Sequence, residues 1–478
     1  MKPSRHLFFY VVSIVVFVLM VWFVIDKGNQ LASLDISSIH LKSPTVQPEQ
    51  PFTQQVFKTI TKPISLLILQ MIAIMVAAKV FGYLFLKVRQ PSVIGEIVAG
   101  IFLGPSALGL FFPEAYAFLF PTSSIIIIQM LSQLGLALFM FIIGMELDFG
   151  LLKGKKQSTL IISHVSIIFP YLLGVVLAYF LFTSFAPPNI TFISFALFMG
   201  IAMSITAFPV LARIIRDRNM TKTTLGSMAL TCAAADDVTA WCILALVVAI
   251  AKSGTGWSAI YTFLCAGAFI LCMFYVVRPL LAKATERLIR NDKPTKSYLS
   301  IVFLMLLAAL FIAEIIGIHL LFGAFIAGVI MPEKIDLKNR IVYKVEDVSL
   351  VLLLPLFFIY TGLRTEIGLL NSLHLWLVCA LIIFLAVLGK FAGTALTARY
   401  VGHKWQDAMS LGVLMNTRGL MELIVLNIGY DLGILSKEIF SMMVIMALVT
   451  TFMTGPALDF INKIYSGDSR VKDTARKT

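Results

Sequence analysis

Charge is what this sequence has least of. Only 13% of its 478 residues are Asp, Glu, Lys or Arg, while 59% are hydrophobic and the mean hydropathy is +0.94. A soluble protein cannot hide so much apolar surface, and many runs reach or approach the roughly 20 residues that cross a bilayer. Cysteine is scarce as well. Cys232, Cys242, Cys265, Cys272 and Cys379 all lie in apolar runs without metal-ligand spacing, so they read as small core residues, not as redox or zinc groups. No G-x-G-D stretch occurs, which argues against an intramembrane aspartyl protease. Water is absent from a bilayer core, so the apolar runs must be helices or closed-barrel strands, and they are too long and too uniform for alternating strands. The chain is an all-α polytopic membrane protein.

Fourteen spans are expected: 7–25, 64–86, 93–110, 124–145, 159–183, 190–214, 223–252, 257–277, 297–316, 320–331, 347–363, 373–400, 408–430 and 438–463. The tenth is short and borrows residues from the preceding "GIHL" turn. The first follows Lys2 and Arg5 and lacks a small-residue cleavage site, so a retained helix is favoured over a cleaved signal. Segment 27–62, with Pro44, Pro48 and Pro51, reads as an extracytoplasmic loop, and 464–478 as a short cytoplasmic tail. With the N-terminus inside, cytoplasmic segments hold 28 of the 38 Lys and Arg and outer segments hold seven; Lys79, Lys390 and Arg418 lie within spans. That asymmetry places both termini in the cytoplasm. The net charge of +13 therefore sets topology and faces anionic lipid, and it does not form a nucleic-acid patch.

An internal repeat is visible. "GEIVAGIFLGP" (95–105) is similar to "GAFIAGVIMP" (323–332), and "LALFMFIIGMELD" (136–148) to "LLPLFFIYTGLRTE" (353–366). Both pairs are seven spans apart. An odd offset makes the copies, about 64–252 and 297–463, run in opposite directions, an architecture of secondary transporters with the site near midplane at the repeat interface.

The chemistry centres on "TCAAADDVTAWC" (231–242), where Asp236 and Asp237 sit side by side in mid-span. A charge there costs about 2.5–3.5 kcal/mol on insertion scales. Adjacent helix positions point about 100° apart, so one structural partner cannot easily serve both. Two carboxylates in a water-reachable cavity can bind a small cation or hold protons, and either state reduces the buried negative charge. Lys390 is the only lysine near midplane and suits Asp236, leaving Asp237 freer to exchange. Two spans carry expected breaks. In "GIAMSITAFPVLARII", Pro209 removes a backbone donor while Ser204 and Thr206 offer oxygen ligands. In "GVLMNTRGLMELIVLNIGY", Asn416, Thr417, Arg418 and Gly419 are together poor helix residues. These spans are again seven apart. Arg418 and Glu422, at i and i+4, can neutralise one another, a supporting role. Glu96, Glu146, Asp148 and Glu314 lie nearer span ends, and Glu314 is the one to watch.

These stretches, with "PLFFIYTGL", resemble the monovalent cation:proton antiporter-2 family, which includes plant cation/H+ exchangers and bacterial sodium/proton and potassium/proton antiporters. The resemblance covers roughly 64–463. It implies an inverted-repeat antiporter fold of about 13–14 transmembrane helices with two crossed broken helices, a core and a dimerisation domain, hence a homodimer, within an exchanger unit at 63–463. It implies elevator-like alternating access in the cell (inner) membrane, with Asp237 as the essential ion-binding acid. Asp236 is at a position that is Asp in electrogenic members, and Lys390 at that of the lysine pairing with it, so electrogenic exchange of Na+ or K+ for protons is expected. The alternative is an electroneutral K+/H+ exchanger or a K+ efflux channel-like protein of the same fold. A channel would conduct without coupling, and a transport-derived sensor would need a sizeable soluble domain. No cofactor is expected. No G-x-G-x-x-G follows the last span, so dinucleotide or glutathione gating on this chain is not expected either.

Overall fold

The computed structural model of the protein describes residues 19–20, 22–23, 59–146, 157–221, 223–253, 256–290, 295–332 and 345–475. The chain divides into two units, Met1–Lys62 and Pro63–Thr478. The expected span 7–25 and the loop at 27–62 lie almost wholly outside the described residues, as does Asp148.

The second unit is helical throughout its described residues. Its main helices are α1 (Pro63–Lys87), α2 (Ser92–Leu103), α3 (Thr122–Glu146), α4 (Gln157–Phe185), α5 (Phe192–Ser204), α6 (Phe208–Asp217), α7 (Thr224–Ser253), α8 (Gly256–Cys272), α9 (Arg278–Arg290), α10 (Thr295–Ile316), α11 (Leu320–Val329), α12 (Leu354–Leu363), α13 (Leu373–Tyr400), α14 (Trp405–Met415), α15 (Leu420–Asp431) and α16 (Lys437–Ala475). A π-helical turn at Met273–Val277 joins α8 to α9, and another at Ser349–Leu353 precedes α12. Among the described residues, eleven helical stretches are long and apolar enough to cross a membrane, twelve when the bent pair α14–α15 is one span, with α11 as a shorter apolar helix. Every expected span after the first thus has its helix. The last continues past 463, the expected start of the tail, as helix to Ala475.

The inverted repeat appears as two equivalent helix crossings. Gly100 of α2 lies against Gly362 of α12: a Cβ on Gly362 would stand 2.6 Å from the Gly100 Cα. Gly328 of α11 lies against Gly144 of α3: a Cβ on Gly144 would stand 3.0 Å from the Gly328 Cα. Gly100 and Gly328 end the matching "G-x4-G" stretches, and Gly144 and Gly362 match in the other pair. Lipid tails are as apolar as leucine, so helices in a bilayer associate through close packing, and glycine permits the closest approach. Around these crossings α1, α2, α3, α10, α11 and α12 pack into one layer; α4, α5, α7, α13, α14 and α16 pack together around the two broken helices.

Candidate functional site

Both expected breaks are present. α5 stops at Ser204 and α6 starts at Phe208; α14 stops at Met415 and α15 starts at Leu420. Unwound backbone at membrane depth must find partners within the protein, and here each break serves the other. The Ala207 N–H donates to Thr417 O at 3.0 Å, and Thr206 Oγ1 lies 3.0 Å from Met415 O. The Arg418 N–H donates to Thr451 Oγ1 at 3.2 Å. Gly419 takes φ 156°, and a Cβ there would meet Val210 Cγ2 at 2.8 Å, so no larger residue fits the turn into α15. Pro209 sits in the first turn of α6, where its missing N–H costs nothing. The break falls at 205–207, ahead of the proline, so Pro209 restarts the helix and does not kink its interior.

Five charged side chains gather at this crossing, all buried: Asp236, Asp237, Lys390, Arg418 and Glu422. The half-helix α5 ends with free carbonyls and the negative end of its dipole. Two cations cover them. Arg418 Nη1 and Nη2 donate to Ala202 O (2.8 Å) and Met203 O (2.6 Å), and Lys390 Nζ donates to Ser204 O (2.5 Å) and Ser166 O (3.0 Å). Lys390 also pairs with Asp236 Oδ2 at 2.9 Å. Arg418 Nη1 pairs with Glu422 Oε1 at 3.3 Å, and Glu422 sits in the first turn of α15, where the dipole favours an anion.

The two aspartates have different surroundings. Asp236 is filled: Ser163 donates to Oδ1 (2.6 Å), while Ser166 (3.0 Å), Thr206 (3.0 Å) and Lys390 all reach Oδ2. Asp237 faces the Phe208 amide at the start of α6, and its Oδ1 has no hydrogen-bond partner among the described residues. Asn416 Oδ1 is likewise buried and unpartnered there. With all groups ionised, three carboxylates face two cationic side chains, so the crossing carries one net negative charge. One monovalent cation or one proton neutralises it, and an open carboxylate oxygen is available to receive either.

The structure thus brings together Asp236, Asp237, Lys390, Ser204, Thr206, Pro209, Asn416, Thr417, Arg418 and Glu422, all read from the sequence. Ser204 differs in detail: its hydroxyl turns back to Ile201 O (2.9 Å) and only its carbonyl faces the charged groups. Sequence reasoning missed Ser163 and Ser166. Their i, i+3 spacing puts both on one face of the largely apolar α4, the one signal that could have exposed them. Glu314 stands away from the crossing. It accepts from the Leu320 N–H at 3.1 Å and lies 3.7 Å from Lys252. Glu146 ends α3. Among the described residues no cluster of three or more His, Cys, Asp or Glu could hold a metal ion.

A helical membrane protein whose two broken helices cross beside a buried, partly open dicarboxylate is built as a secondary ion transporter. The family model described as "Sodium/hydrogen exchanger, transmembrane" matches residues 72–463, and the chain belongs to this family of transporters, which are not enzymes. Among curated proteins it is 44% identical over 411 residues to the "Na(+)/H(+) antiporter NhaS4" of Synechocystis, covering 85% of this chain and 98% of that one. It is 41% identical to "Cation/H(+) antiporter 17" of Arabidopsis thaliana, over 82% of this chain and 48% of that one. It is 33% identical to "K(+)/H(+) antiporter 1" of Saccharomyces cerevisiae, over 84% of this chain and 47% of that one. The chain therefore spans about half the length of these plant and yeast relatives. The sodium proton antiporter MjNhaP1 from Methanocaldococcus jannaschii shares the fold, with a TM-score of 0.61 at 16% identity over 85% of this chain and 98% of that one.

Proposed function

We propose that the protein exchanges a monovalent cation, Na+ or K+, for protons by alternating access, with Asp237 as the carboxylate both passengers share. The observation that carries this reading is the Oδ1 of Asp237, without a hydrogen-bond partner among the described residues, inside a buried crossing where three carboxylates meet two cationic side chains. A proton and a cation each cancel the excess negative charge, and they compete because one open oxygen serves both. The empty, charged site bears the desolvation penalty of an unpaired buried carboxylate and stays where water reaches it. The neutralised site crosses, and this difference couples the two fluxes. Thr206, bonded to Asp236, and Asn416, whose Oδ1 has no partner among the described residues, supply further oxygens at the crossing. Arg418 and Glu422 hold the half-helix ends in place.

The Asp236–Lys390 pair supports electrogenic exchange, in which cation binding displaces more than one proton. The full coordination of Asp236 favours a second reading, in which the pair stays closed and a single proton leaves per cation. The layer around α4, α5, α7, α13, α14 and α16 is the moving core, and the glycine-crossed layer is the scaffold and the homodimer surface. The excess of Lys and Arg in alternate loops supports a topology with both termini on the cytoplasmic side, in the cell membrane as the proposed location.

The test is a proteoliposome assay with a trapped pH dye. Pulses of Na+, K+ and Li+ are given with and without an ionophore voltage clamp. Cation-dependent proton flux is expected, and its dependence on voltage separates the two stoichiometries. Absence of such flux for every cation, with intact protein, overturns the exchanger reading.

A further inference from the structure

At the end of the bundle where α12 and α15 both finish, several contacts tie the two layers together; Gln129 of α3 donates to Asp431 Oδ1 at 3.4 Å, and the densest set is centred on one arginine. Arg364, just past the end of α12, pairs through Nη2 with Asp431, the last residue of α15, at 2.6 Å. Its Nη1 donates to Asn427 Oδ1, one turn earlier in α15, at 3.1 Å. Asn427 Nδ2 returns across the same boundary to Thr361 Oγ1 of α12 at 2.8 Å. The guanidinium also lies over the rings of Tyr360 (4.4 Å) and Tyr430 (4.9 Å), one from each layer. Beside it Lys437, the first residue of α16, pairs with Glu366 at 2.9 Å, and the Glu366 N–H donates to Ser441 Oγ at 3.0 Å.

The opposite end is tied differently. There Arg213 of the core donates to Ser92 Oγ (3.1 Å) and Gln90, just before α2, to Phe452 O (3.3 Å), and Arg213 acts electrostatically on Glu96 of α2. The repeat does not duplicate Arg364: two residues past Gly144, where Arg364 lies two past Gly362, stands Glu146. Directly under the Arg364 network is a small cavity of about 20 Å³ lined on one side by Ser132 and Tyr360 and on the other by Asn427 and Asp431. Ser132 Oγ is buried there without a hydrogen-bond partner among the described residues.

We propose that Arg364 is a positioning residue for exchange: it latches α15 of the core to α12 of the scaffold and holds this end of the core–scaffold boundary shut, so that the latch must open each time the core moves. Arg364 acts through the helix whose other end carries Glu422 and follows the break that holds Arg418, and it touches no passenger. The assignment of this end to the extracytoplasmic side, and of α15 to a moving core, rests on the function proposed above.

The test uses Ser132→Cys as a reporter in a variant whose five native cysteines are replaced. Right-side-out and inside-out vesicles are treated with a membrane-impermeant maleimide. Slow labelling is expected with Arg364 present, and roughly tenfold faster labelling from the extracytoplasmic face with Arg364→Gln or Asp431→Asn, the factor that about 1.4 kcal/mol of lost latch corresponds to. The charge-swapped pair, Arg364→Asp with Asp431→Arg, should return labelling toward the starting rate, which a merely misfolded protein would not do. In the flux assay Arg364→Gln should change turnover while leaving the cation KM within about twofold. Equal labelling with and without Arg364, at equal protein abundance and in the swapped pair, overturns the latch. Acceleration seen only from the cytoplasmic face keeps the latch and overturns the proposed orientation. Accelerated labelling in a protein without cation-dependent flux keeps the latch and overturns the exchanger reading.

Discussion

Where α2 crosses α12, and again where α11 crosses α3, glycine backs onto glycine and no polar side chain is needed at the contact. Where α5–α6 crosses α14–α15, the contact is made of unwound backbone, a threonine, an asparagine and five buried charges. Both kinds of crossing come from the same inverted repeat. The glycine crossings gain from close packing of backbone on backbone and bring no polar side chain to the contact. Among the described residues, the polar crossing leaves Asp237 Oδ1 and Asn416 Oδ1 without hydrogen bonds, and Glu422 is held by the ion pair of its Oε1 with Arg418. Buried groups left open in this way improve their energy when something arrives. The difference separates a layer that holds its shape from a layer whose preferred state changes with its occupant.

The largest effect expected of any substitution comes from removing the open carboxylate. Asp237→Asn should reduce cation-dependent proton flux to background while the protein stays folded, because a neutral amide ends the competition between proton and cation. Unchanged flux would refute the role of Asp237 and make the polar crossing as inert as the glycine ones. Next is Lys390→Met, which leaves Asp236 buried without its counter-ion and should destabilise the protein by about 3–5 kcal/mol, read as a loss of thermal stability in detergent. Adding Asp236→Asn should recover most of that loss. If the double variant is no better than the single, the pair is not coupled as its 2.9 Å contact indicates.

Much of this contrast is legible in the sequence. Composition and run length give the spans, and midplane charges in so apolar a chain have few reasons to exist, so Asp236, Asp237, Lys390 and Arg418 stand out. The glycine stretches at matching offsets reveal the repeat, because only glycine allows the approach the structure shows. The remainder was hidden for physical reasons. Ser163 and Ser166 cradle Asp236, yet serines in membrane helices commonly bond their own backbone and carry no pattern of their own. The acceptors for Arg418 and Lys390 are the carbonyls of Ala202, Met203 and Ser204, which every residue possesses. Pro209 marked the right span but the wrong cause, since a proline that starts a half-helix reads like one that bends a whole helix. Arg364 lies at a span end, where arginine ordinarily snorkels to the interface, and its partners are far away in sequence.

The glycine side of the comparison predicts a smaller, purely structural effect. Gly362→Ala places a Cβ 2.6 Å from the Gly100 Cα, and overpacking of this kind costs about 1–3 kcal/mol. Gly328→Ala, at the repeat-related crossing, should lose a similar amount. Both should lower thermal stability while the cation KM of the folded fraction stays unchanged. A change in KM without a change in stability would break the division between a fixed layer and a responsive one.

The smallest effect concerns the end of α11, the helix that brings Gly328 to its crossing. His319 caps it in the turn between α10 and α11: Nδ1 accepts from the Leu321 N–H at 3.4 Å, and the backbone takes φ 71°. Burial, opposed in part by the nearby Glu314 carboxylate, pushes its pKa down from 6.5 to about 4. The neutral form is therefore the one the fold accepts. Stability from this cap is fully present above pH 6.5 and is lost as pH falls toward 4, because protonation turns the Nδ1 acceptor into a donor. The loss is bounded by the worth of an N-cap, about 1 kcal/mol, since the ring can swing out and leave α11 otherwise intact. His319→Asn keeps a capping oxygen and tolerates the positive φ, so it should remove this pH dependence with little change at pH 8. Thermal melts of both proteins between pH 4 and 8 give the comparison. Parallel curves would mean that His319 does not make the start of α11 acid-sensitive, and the pH response of the protein would have to come from other groups.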